Sequence, residues 1–577
     1  MNRWIQQLPV LLLLAAVVGF AAGPATERAS GADGAAAGTD LLEPQSSISE
    51  LSEQDRLLRG ILTEIWRNYY SEVDITEVAT GALKGMMAQL DPYSEYYVEE
   101  QDTAAVADLE NTITGTYSGI GATITSRAGD LSIVAPMKMS PAANAGLQAG
   151  DLIIRIDGTP SRHFTASRAA SLIKGPVGTE VVLTILREGF PAPLEVPIIR
   201  ATIEVNDVSA AEFAAPGIAY IEIGRFTRNT GRFLLEEIEK LEAEQTIEGM
   251  ILDLRANPGG LLDEALEVAE PFLPDNELVV YTRGRMRNMN AEFRTDMPQR
   301  YAGRLAILVN NGSASASEIV AGALQDLDRA VIVGQPTFGK GLIQQVAQLD
   351  EGTFLRLTTG EYFTPSGRSL QRAFIRDDRG MLAVRNPSAP DTTEHPAYRS
   401  RNGREVRGGG GVVPDIEADG IMGNVLLFEL KFIRTMFLRY VNNYANTRNI
   451  EQGASVVVDD ALIDDFKEWS LEQGFTFQTP TEMQLDNLRL TAEAEEIAGS
   501  MASEIEALQE AIDREKARMW EASRPGIALE LRREFVTRLE GYGRGQLVYM
   551  EEDPQFQAAL RAVQDAQHYA GILSGGH

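Results

Sequence analysis

Short apolar runs alternate with helical patterns through the middle of the chain. Four runs have the length and the branched side chains of buried strands, at residues 218–223, 250–254, 305–309 and 330–333. Between them, apolar residues recur at helical spacing, for example over 233–241 and 265–272. Strands that alternate with helices predict an α/β core with a largely parallel sheet.

The regions on either side of this core have a different pattern. Leu57, Ile61 and Ile65 belong to an apolar stripe at helical spacing, which predicts an N-terminal helical region over 50–105 that caps the core or joins two subunits. Narrow apolar stripes against acidic faces predict a mainly helical C-terminal region over 421–577. We interpret that region as a candidate for self-assembly or partner binding, and the polar stretch 373–407 as a surface insertion.

The N-terminus has the pattern of an export signal. Arg3 precedes an apolar run over 10–22, which is too short to span a bilayer comfortably. Residues 1–22 are therefore predicted to be a signal peptide or an uncleaved anchor. Residues 23–49, rich in alanine and glycine at their start, are predicted to be a flexible linker.

Composition and charge exclude several classes of function. The chain has 577 residues, enough for several domains, and a formal net charge of −31, so nucleic acid is not an expected partner. It contains no cysteine, which excludes disulfides, thiol catalysis and a lipid anchor through cysteine. No histidine and carboxylate cluster has ligand spacing, so we expect neither a metal nor an organic cofactor.

A serine and a lysine form the strongest candidate for chemistry. Ser315 lies in Asn-Asn-Gly-Ser-Ala-Ser-Ala-Ser-Glu, and Lys340 follows in Thr-Phe-Gly-Lys-Gly. A lysine whose pKa is lowered by burial can accept the proton of a serine hydroxyl, and Gln344 could hold the amine in place. The four histidines lie in unrelated contexts, which disfavours a Ser-His-Asp triad. The alternative is that the serine-rich segment is only a loop that opens a helix.

A glycine turn could complete such a site. The apolar run that ends at Leu254 is followed by Pro258, Gly259 and Gly260, and a helical pattern begins near Leu262. A strand-to-helix turn directs backbone N–H groups outward, where each could stabilise an oxyanion by about 3 kcal/mol. The alternatives are an ordinary glycine-rich turn and, less well matched, a phosphate-binding loop, because the GxGxxG spacing is missing.

Together with other motifs, these segments resemble one family. Leu-Asp-Pro-Tyr-Ser at 90–94, Gly-Ile-Gly-Ala at 119–122, the stretch 140–158 and Tyr-Phe-Thr-Pro-Ser-Gly-Arg at 362–368 occur in the family's order. The chain resembles the carboxy-terminal processing (tail-specific) proteases over residues 51–420. The resemblance implies an α/β crotonase-like (ClpP/crotonase) core over 204–420, with a PDZ domain inserted at 111–203.

The resemblance also implies roles for individual residues. Ser315 would be the nucleophile, Lys340 the general base and Gln344 the supporting residue, with no cofactor. The oxyanion hole would be formed by the backbone N–H groups of Ala316 and of either Gly259 or Gly260. Asp326 matches a position that is functionally important in some members; its alternative interpretation is a helix-surface carboxylate or an ion pair with Arg329.

The loop Gly119, Ile120, Gly121 and Ala122 resembles the carboxylate-binding loop of PDZ domains, in which a peptide C-terminus binds backbone N–H groups. Ala122 replaces the usual aromatic residue, which leaves the peptide preference open. A purely regulatory or degenerate domain is the alternative.

The resemblance implies an exported serine endopeptidase of the bacterial periplasm or cell envelope. Its expected partners are proteins with exposed C-termini, further copies of itself and an adaptor, with the membrane reached only through an N-terminal anchor. The main alternative is an inactive or adaptor-dependent PDZ scaffold. A third, an acyl-transfer enzyme acting on small thioesters, is disfavoured by the PDZ-like segment and the export signal.

Overall fold

The computed structural model describes residues 45–575 except 128, 138, 351, 379, 387–394, 422–423 and 434. The predicted signal peptide or anchor (1–22) and residues 23–44 of the predicted linker lie outside the described residues. Residues 45–49 are helical, so the linker prediction is wrong there, because the first helix begins at Gln45, five residues before the predicted helical region. In this described part of the chain, no helix is both long and apolar enough to cross a lipid bilayer.

The N-terminal region is helical, as predicted, but it also contributes a strand. Its elements are α1 (Gln45–Asn68), α2 (Ile75–Ala88), β1 (Glu95–Val98) and α3 (Thr103–Thr114). Strand β1 pairs antiparallel with residues 353–356 of the core. The turn before β1 is thereby placed inside the core.

The segment predicted as a PDZ domain forms a separate antiparallel sheet with two short helices. Its elements are β2 (Thr116–Gly119), β3 (Ala122–Arg127), β4 (Asp130–Pro136), α4 (Pro141–Asn144), β5 (Leu152–Ile156), β6 (Thr159–Pro160), α5 (Ala166–Ile173), β7 (Glu180–Leu186), β8 (Leu194–Ile199) and β9 (Ala201–Glu204). The order is β3-β4-β5-β7-β8, while β2 and β9 pair with each other. Asp157 and Gly158 both have positive φ, which confirms the predicted hairpin turn.

The central α/β core matches the predicted pattern of strands and helices. Its elements are β10 (Val208–Ala215), β11 (Ile218–Ile223), α6 (Thr230–Glu244), β12 (Gly249–Asp253), α7 (Leu262–Ala269), β13 (Leu278–Gly284), β14 (Glu292–Arg294), β15 (Arg304–Val309), α8 (Ala316–Asp326), β16 (Val331–Gly334), β17 (Leu342–Asp350) and β18 (Thr353–Phe363). Strands β11, β12, β15 and β16 are neighbours and parallel, and β10 lies antiparallel at the edge. A second, antiparallel sheet contains β1, β18, β13 and β14, with β17 on β18.

The insertion 373–407 is only partly a surface loop. Its described residues form two hairpins, β19 (Ile375–Arg376) with β20 (Leu382–Ala383) and β21 (Ala397–Arg399) with β22 (Glu405–Arg407), before β23 (Ile416–Glu417) joins the parallel sheet beside β16. Arg404 is buried and pairs with Asp328 and Asp415. The surface interpretation is wrong at this position, because two core carboxylates neutralise the buried guanidinium.

The C-terminal region is helical, as predicted, and helices near its end pack on the core. Its elements are α9 (Val425–Phe428), α10 (Met436–Arg448), α11 (Asp460–Glu472), α12 (Pro480–Ala494), α13 (Ala502–Ala522), α14 (Arg524–Glu540), α15 (Tyr542–Met550), α16 (Pro554–Gln564) and α17 (Ala566–Leu573). Phe556 of α16 packs edge-on against Tyr220 of β11, with ring centroids 5.7 Å apart. Ala559 and Val563 of α16 are fully buried in the same apolar cluster as residues of β11, β12, β15 and β16. The apolar face of α16 is therefore used within the chain.

Candidate functional site

Two loops that follow neighbouring parallel strands meet at the predicted site. The serine loop (310–315) follows β15, and the lysine loop (335–341) follows β16. The Phe338 N–H donates to the Ser313 carbonyl oxygen at 3.0 Å. Ala314, Phe338 and Tyr93 share a small apolar cluster. The sheet thus brings the two predicted segments together at the carboxyl ends of its strands.

Ser315 occupies a strained and buried position at the start of α8. Its φ of 57° lies in the left-handed region, which costs a residue with a side chain about 1–2 kcal/mol. The side chain is fully buried, and in the described structure the hydroxyl oxygen has no hydrogen-bond partner. No described histidine therefore hydrogen-bonds to it. A buried hydroxyl without a partner is available to a substrate or to a base.

Lys340 is almost completely buried. Only 1% of the residue is exposed, and Nζ lies 4.8 Å from the centre of the Tyr93 ring. Burial, with Arg356 acting in the same direction, lowers the pKa of the amine to about 7. Near neutral pH a large fraction of this amine is therefore uncharged and able to accept a proton.

One carboxylate ties the two loops together. Glu318 Oε2 accepts hydrogen bonds from the Ser315 N–H at 2.9 Å and from the Lys340 N–H at 2.8 Å. Its Oε1 accepts the Gly339 N–H at 2.8 Å. Burial raises the pKa of Glu318, and these hydrogen bonds act in the opposite direction. Glu318 was not among the predicted site residues, although the Ser-x-x-Glu spacing of a capping box is its signal.

Gln344 is buried beside residues of the N-terminal region. Its Nε2 donates to Thr358 Oγ1 at 3.3 Å, and Thr358 Oγ1 donates to Asp91 Oδ1 at 3.1 Å. Asp91 also accepts the Tyr93 N–H at 2.8 Å, which fixes the ring that faces Lys340. The Gln344 Oε1 atom is buried without a hydrogen-bond partner within the described residues. The Asp91–Tyr93 turn is a part of the site to which sequence reasoning assigned no chemistry.

The glycine turn packs directly against the serine loop. A Cβ at Gly259 would lie 2.6 Å from the Ala314 carbonyl oxygen and 2.8 Å from the Ala316 nitrogen, so only glycine fits there. The Gly259 N–H donates to Asn257 Oδ1 at 2.9 Å. Among the residues that the structure describes, the N–H groups of Gly260 and Ala316 have no acceptor. These two N–H groups are therefore free for a ligand.

Asp326 lies at the other end of α8, about 16 Å along the helix from its start. Its Oδ1 is 2.8 Å from the Arg368 guanidinium, both side chains are fully buried, and Oδ2 accepts the Ser366 N–H at 2.9 Å. The alternatives of a surface carboxylate and of a pair with Arg329 are wrong. Arg329 donates instead to the carbonyl oxygens of Phe272 and Tyr301.

The predicted carboxylate-binding loop lies at the open edge of its sheet. Ile120 is buried, its carbonyl oxygen accepts the Ala142 N–H at 2.8 Å, and Gly121 has a φ of 72°. Ala122 begins β3, which pairs with β4 on one side only. An unpaired strand edge beside this loop is compatible with the addition of a peptide strand.

Comparisons with known proteins agree with the resemblance. Residues 217–380 match the model of peptidase family S41, residues 132–187 that of a PDZ domain, and residues 432–563 one described as "Probable PDZ-protease, C-terminal helical domain". The carboxy-terminal-processing protease of Bartonella bacilliformis is 37% identical over 59% of this chain and 78% of that relative. The carboxyl-terminal-processing protease of Synechocystis sp. is 39% identical over 52% of this chain and 69% of that relative.

Among solved structures, the photosystem II D1 C-terminal processing protease is 25% identical, with a TM-score of 0.33, over 67% of this chain and 91% of that one. The PDZ domain of the carboxy-terminal protease from Vibrio cholerae is 30% identical, with a TM-score of 0.15, over 16% of this chain and 99% of that one. By its relatives and its matching family models, the chain belongs to the carboxy-terminal processing proteases of peptidase family S41, and it is a serine-type peptidase with a PDZ domain and a C-terminal helical domain.

Proposed function

We propose that Ser315 and Lys340 are the catalytic dyad of this peptidase, with Gln344 as the residue that orients the amine. The observation that carries the proposal is the Glu318 carboxylate, which binds the backbone N–H groups of both residues in a buried setting. It holds the backbones of two adjoining loops together. One loop carries a hydroxyl without a hydrogen-bond partner, and the other carries an amine with a pKa of about 7. The unpaired Gln344 Oε1 supports its role as an acceptor for the amine.

The reaction follows from these groups. The neutral Lys340 amine takes the proton of Ser315 as the serine oxygen attacks the scissile carbonyl carbon. The negative oxygen of the tetrahedral intermediate binds the N–H groups of Ala316 and of the glycine turn. Gly260 is the better second donor, because the Gly259 N–H is already bonded to Asn257. Lys340 then passes the proton to the leaving amine, and water hydrolyses the acyl-enzyme with Lys340 again as the base.

Substrate selection belongs to the PDZ domain in this proposal. The N–H groups of Gly119, Ile120, Gly121 and Ala122 would capture the C-terminal carboxylate of a substrate, while the tail adds to β3. The open edge of β3 supports this arrangement. Domain limits of 111–203 and 204–420, and a crotonase-like core, remain part of the proposal.

Location and assembly complete the proposal. Export to the periplasm or cell envelope rests on the N-terminal sequence, with the membrane reached only through an anchor there. The apolar residues Leu57, Ile61 and Trp66 of α1 are each about half exposed or more, which supports assembly with further copies through this helix. An adaptor protein remains a proposal from the resemblance alone.

The test is cleavage of an unfolded reporter with an apolar C-terminal tail. Ser315→Ala and Lys340→Ala should each abolish cleavage, while Ser503→Ala and the exposed Lys240→Ala should leave it unchanged.

Because the base must be neutral, the wild-type kcat/KM should rise about tenfold per pH unit below pH 7 and level off above it. Cleavage that survives Ser315→Ala would refute the nucleophile. A wild type that binds the tail and never cleaves would favour the scaffold or a missing adaptor. A reporter with an amidated C-terminus should raise KM if the PDZ loop binds the carboxylate.

A further inference from the structure

The glycine turn has a strained backbone and needs external anchors. Ala256 has a φ of 54°, in the left-handed region that residues with a side chain rarely adopt. On the side of the serine loop, the Ala256 N–H donates to Asn310 Oδ1 at 2.9 Å. The Asn257 side chain donates to the Ile223 carbonyl oxygen at 2.8 Å. A further anchor is Arg255, which directly precedes Ala256.

Arg255 binds two parts of the molecule at once. One is the protease sheet, which is the largely parallel sheet of β10, β11, β12, β15, β16 and β23, and the other is the C-terminal helical domain. The Arg255 Nε and Nη2 atoms bind the Asp253 carboxylate at 2.9 and 2.7 Å. Its Nη1 donates to Asp553 Oδ2 and, at 3.0 Å, to Gln555 Oε1, while Nη2 lies 3.2 Å from the Met550 sulfur. The side chains of Arg255, Asp253 and Asp553 are 13%, 5% and 2% exposed, so this cluster is held away from solvent.

Asp553 and Gln555, the two residues of α16 and its cap that contact Arg255, are each held by a further hydrogen bond. Asp553 Oδ1 caps α16 by accepting the Gln555 N–H at 2.9 Å, and α16 is a buried layer on the protease sheet. The second residue of that contact, Gln555, donates from Nε2 to the Ala418 carbonyl oxygen at 3.0 Å. These contacts on Arg255 are therefore supplied by residues remote in sequence from the turn.

We propose that Asp553 is a positioning residue of the active site: it holds Arg255, and through Arg255 the glycine turn, so that the C-terminal helical domain completes the oxyanion hole. The inference rests on the proposed function, because it assumes that the turn stabilises the oxyanion. A displaced oxyanion donor weakens binding of the transition state more than binding of the substrate, so the effect belongs in kcat.

Asp553→Asn is the decisive variant, because asparagine still caps a helix but removes the charge that faces Arg255. Asp565→Asn is the matched control: Asp565 caps α17 through the N–H groups of Gln567 and His568. With the tailed reporter, kcat of Asp553→Asn should fall at least tenfold, with KM within twofold of wild type and a melting temperature close to that of the control. Gln555→Leu, which removes the neutral contact to Arg255, should lower kcat by a smaller factor.

The outcomes separate this inference from the proposed function. If wild-type cleavage does not depend on Ser315, the proposed function fails first. If it does, and kcat of Asp553→Asn stays within twofold of wild type, the positioning role is wrong. Should Asp553→Asn fail to fold, Gln555→Leu decides: an unchanged kcat in that variant refutes the role, and a lowered kcat with an unchanged KM supports it.

Discussion

At the scale of single residues, Lys340 links catalysis to stability. Burial lowers the pKa of the amine from 10.5 to about 7, so the unfolded chain holds the proton more tightly than the folded chain does. Burying this amine therefore lowers the free energy of unfolding. The loss is fully present below pH 7 and diminishes as the pH rises towards 10.5. Lys340→Met should therefore raise the free energy of unfolding at pH 7 by about 3–5 kcal/mol and abolish cleavage. Urea unfolding at several pH values measures it, and the gain should shrink as the pH is raised.

Lys431 is the control for this prediction. Burial also lowers the pKa of Lys431, but its amine pairs with Glu530. Lys431→Met would leave a buried carboxylate without its partner, so it should destabilise the protein. If Lys340→Met were destabilising as well, favourable interactions would stabilise the Lys340 amine, and burial would not have lowered its pKa as we describe.

Part of the site could be predicted from single residues, and part could not. Ser315 and Lys340 could be recognised in the sequence because small residues lie next to each of them, as a buried serine and a buried lysine base require. The structure places their two loops side by side. The contribution of Tyr93 depends on a turn far away in the chain that closes over the lysine. No local pattern shows which distant ring will cover a buried amine, so that contact required the structure.

At the scale of helices and strands, periodicity predicted the elements but not all of their partners. The parallel strands, α6 and α7 were predicted from apolar patterns that each element carries within itself. One alternative interpretation of Asp326 was an ion pair with the nearby Arg329, because a short separation in sequence suggests such a pair. The structure pairs it with Arg368 beyond the end of β18, since the fold of the antiparallel sheet returns that segment to the end of α8.

This pair gives the prediction for α8. Asp326→Asn leaves the fully buried Arg368 without its counter-charge, which should lower the free energy of unfolding by about 3–5 kcal/mol. Because Asp326 lies far from Ser315, kcat per folded molecule should stay within about threefold of wild type. Urea unfolding and active-site titration together measure both quantities.

The double variant Asp326→Leu/Arg368→Met is the control, because it removes both charges and should recover part of the lost stability. A loss of kcat in folded Asp326→Asn, without a loss of stability, would instead show that Asp326 takes part in the chemistry.

At the scale of the whole molecule, the C-terminal region holds the other parts together. Helix α16 covers one face of the protease sheet, so a chain shortened at residue 420 would expose fully buried residues such as Ile251, Leu308 and Val331. Such a chain should aggregate, which makes truncation a poor test of self-assembly. The apolar stripes of this region predicted its helices, but a stripe does not show whether its partner lies in the same chain.

The same region also fixes the PDZ domain. Asn442 and Asn446 of α10 donate to the carbonyl oxygens of Ala149 and Glu188, both in loops of the PDZ domain. Neutral side-chain hydrogen bonds contribute about 0.5–1.5 kcal/mol each, so two of them are a substantial share of a contact between domains. Asn442→Ala/Asn446→Ala should therefore loosen the PDZ domain without unfolding either part.

A larger radius of gyration in small-angle scattering, and faster cutting by a nonspecific protease near residues 205–207, would show this loosening. Asn443→Ala, a change on the same helix outside these two contacts, should leave both measurements unchanged. Equal behaviour of the two variants would mean that these two hydrogen bonds do not restrain the PDZ domain.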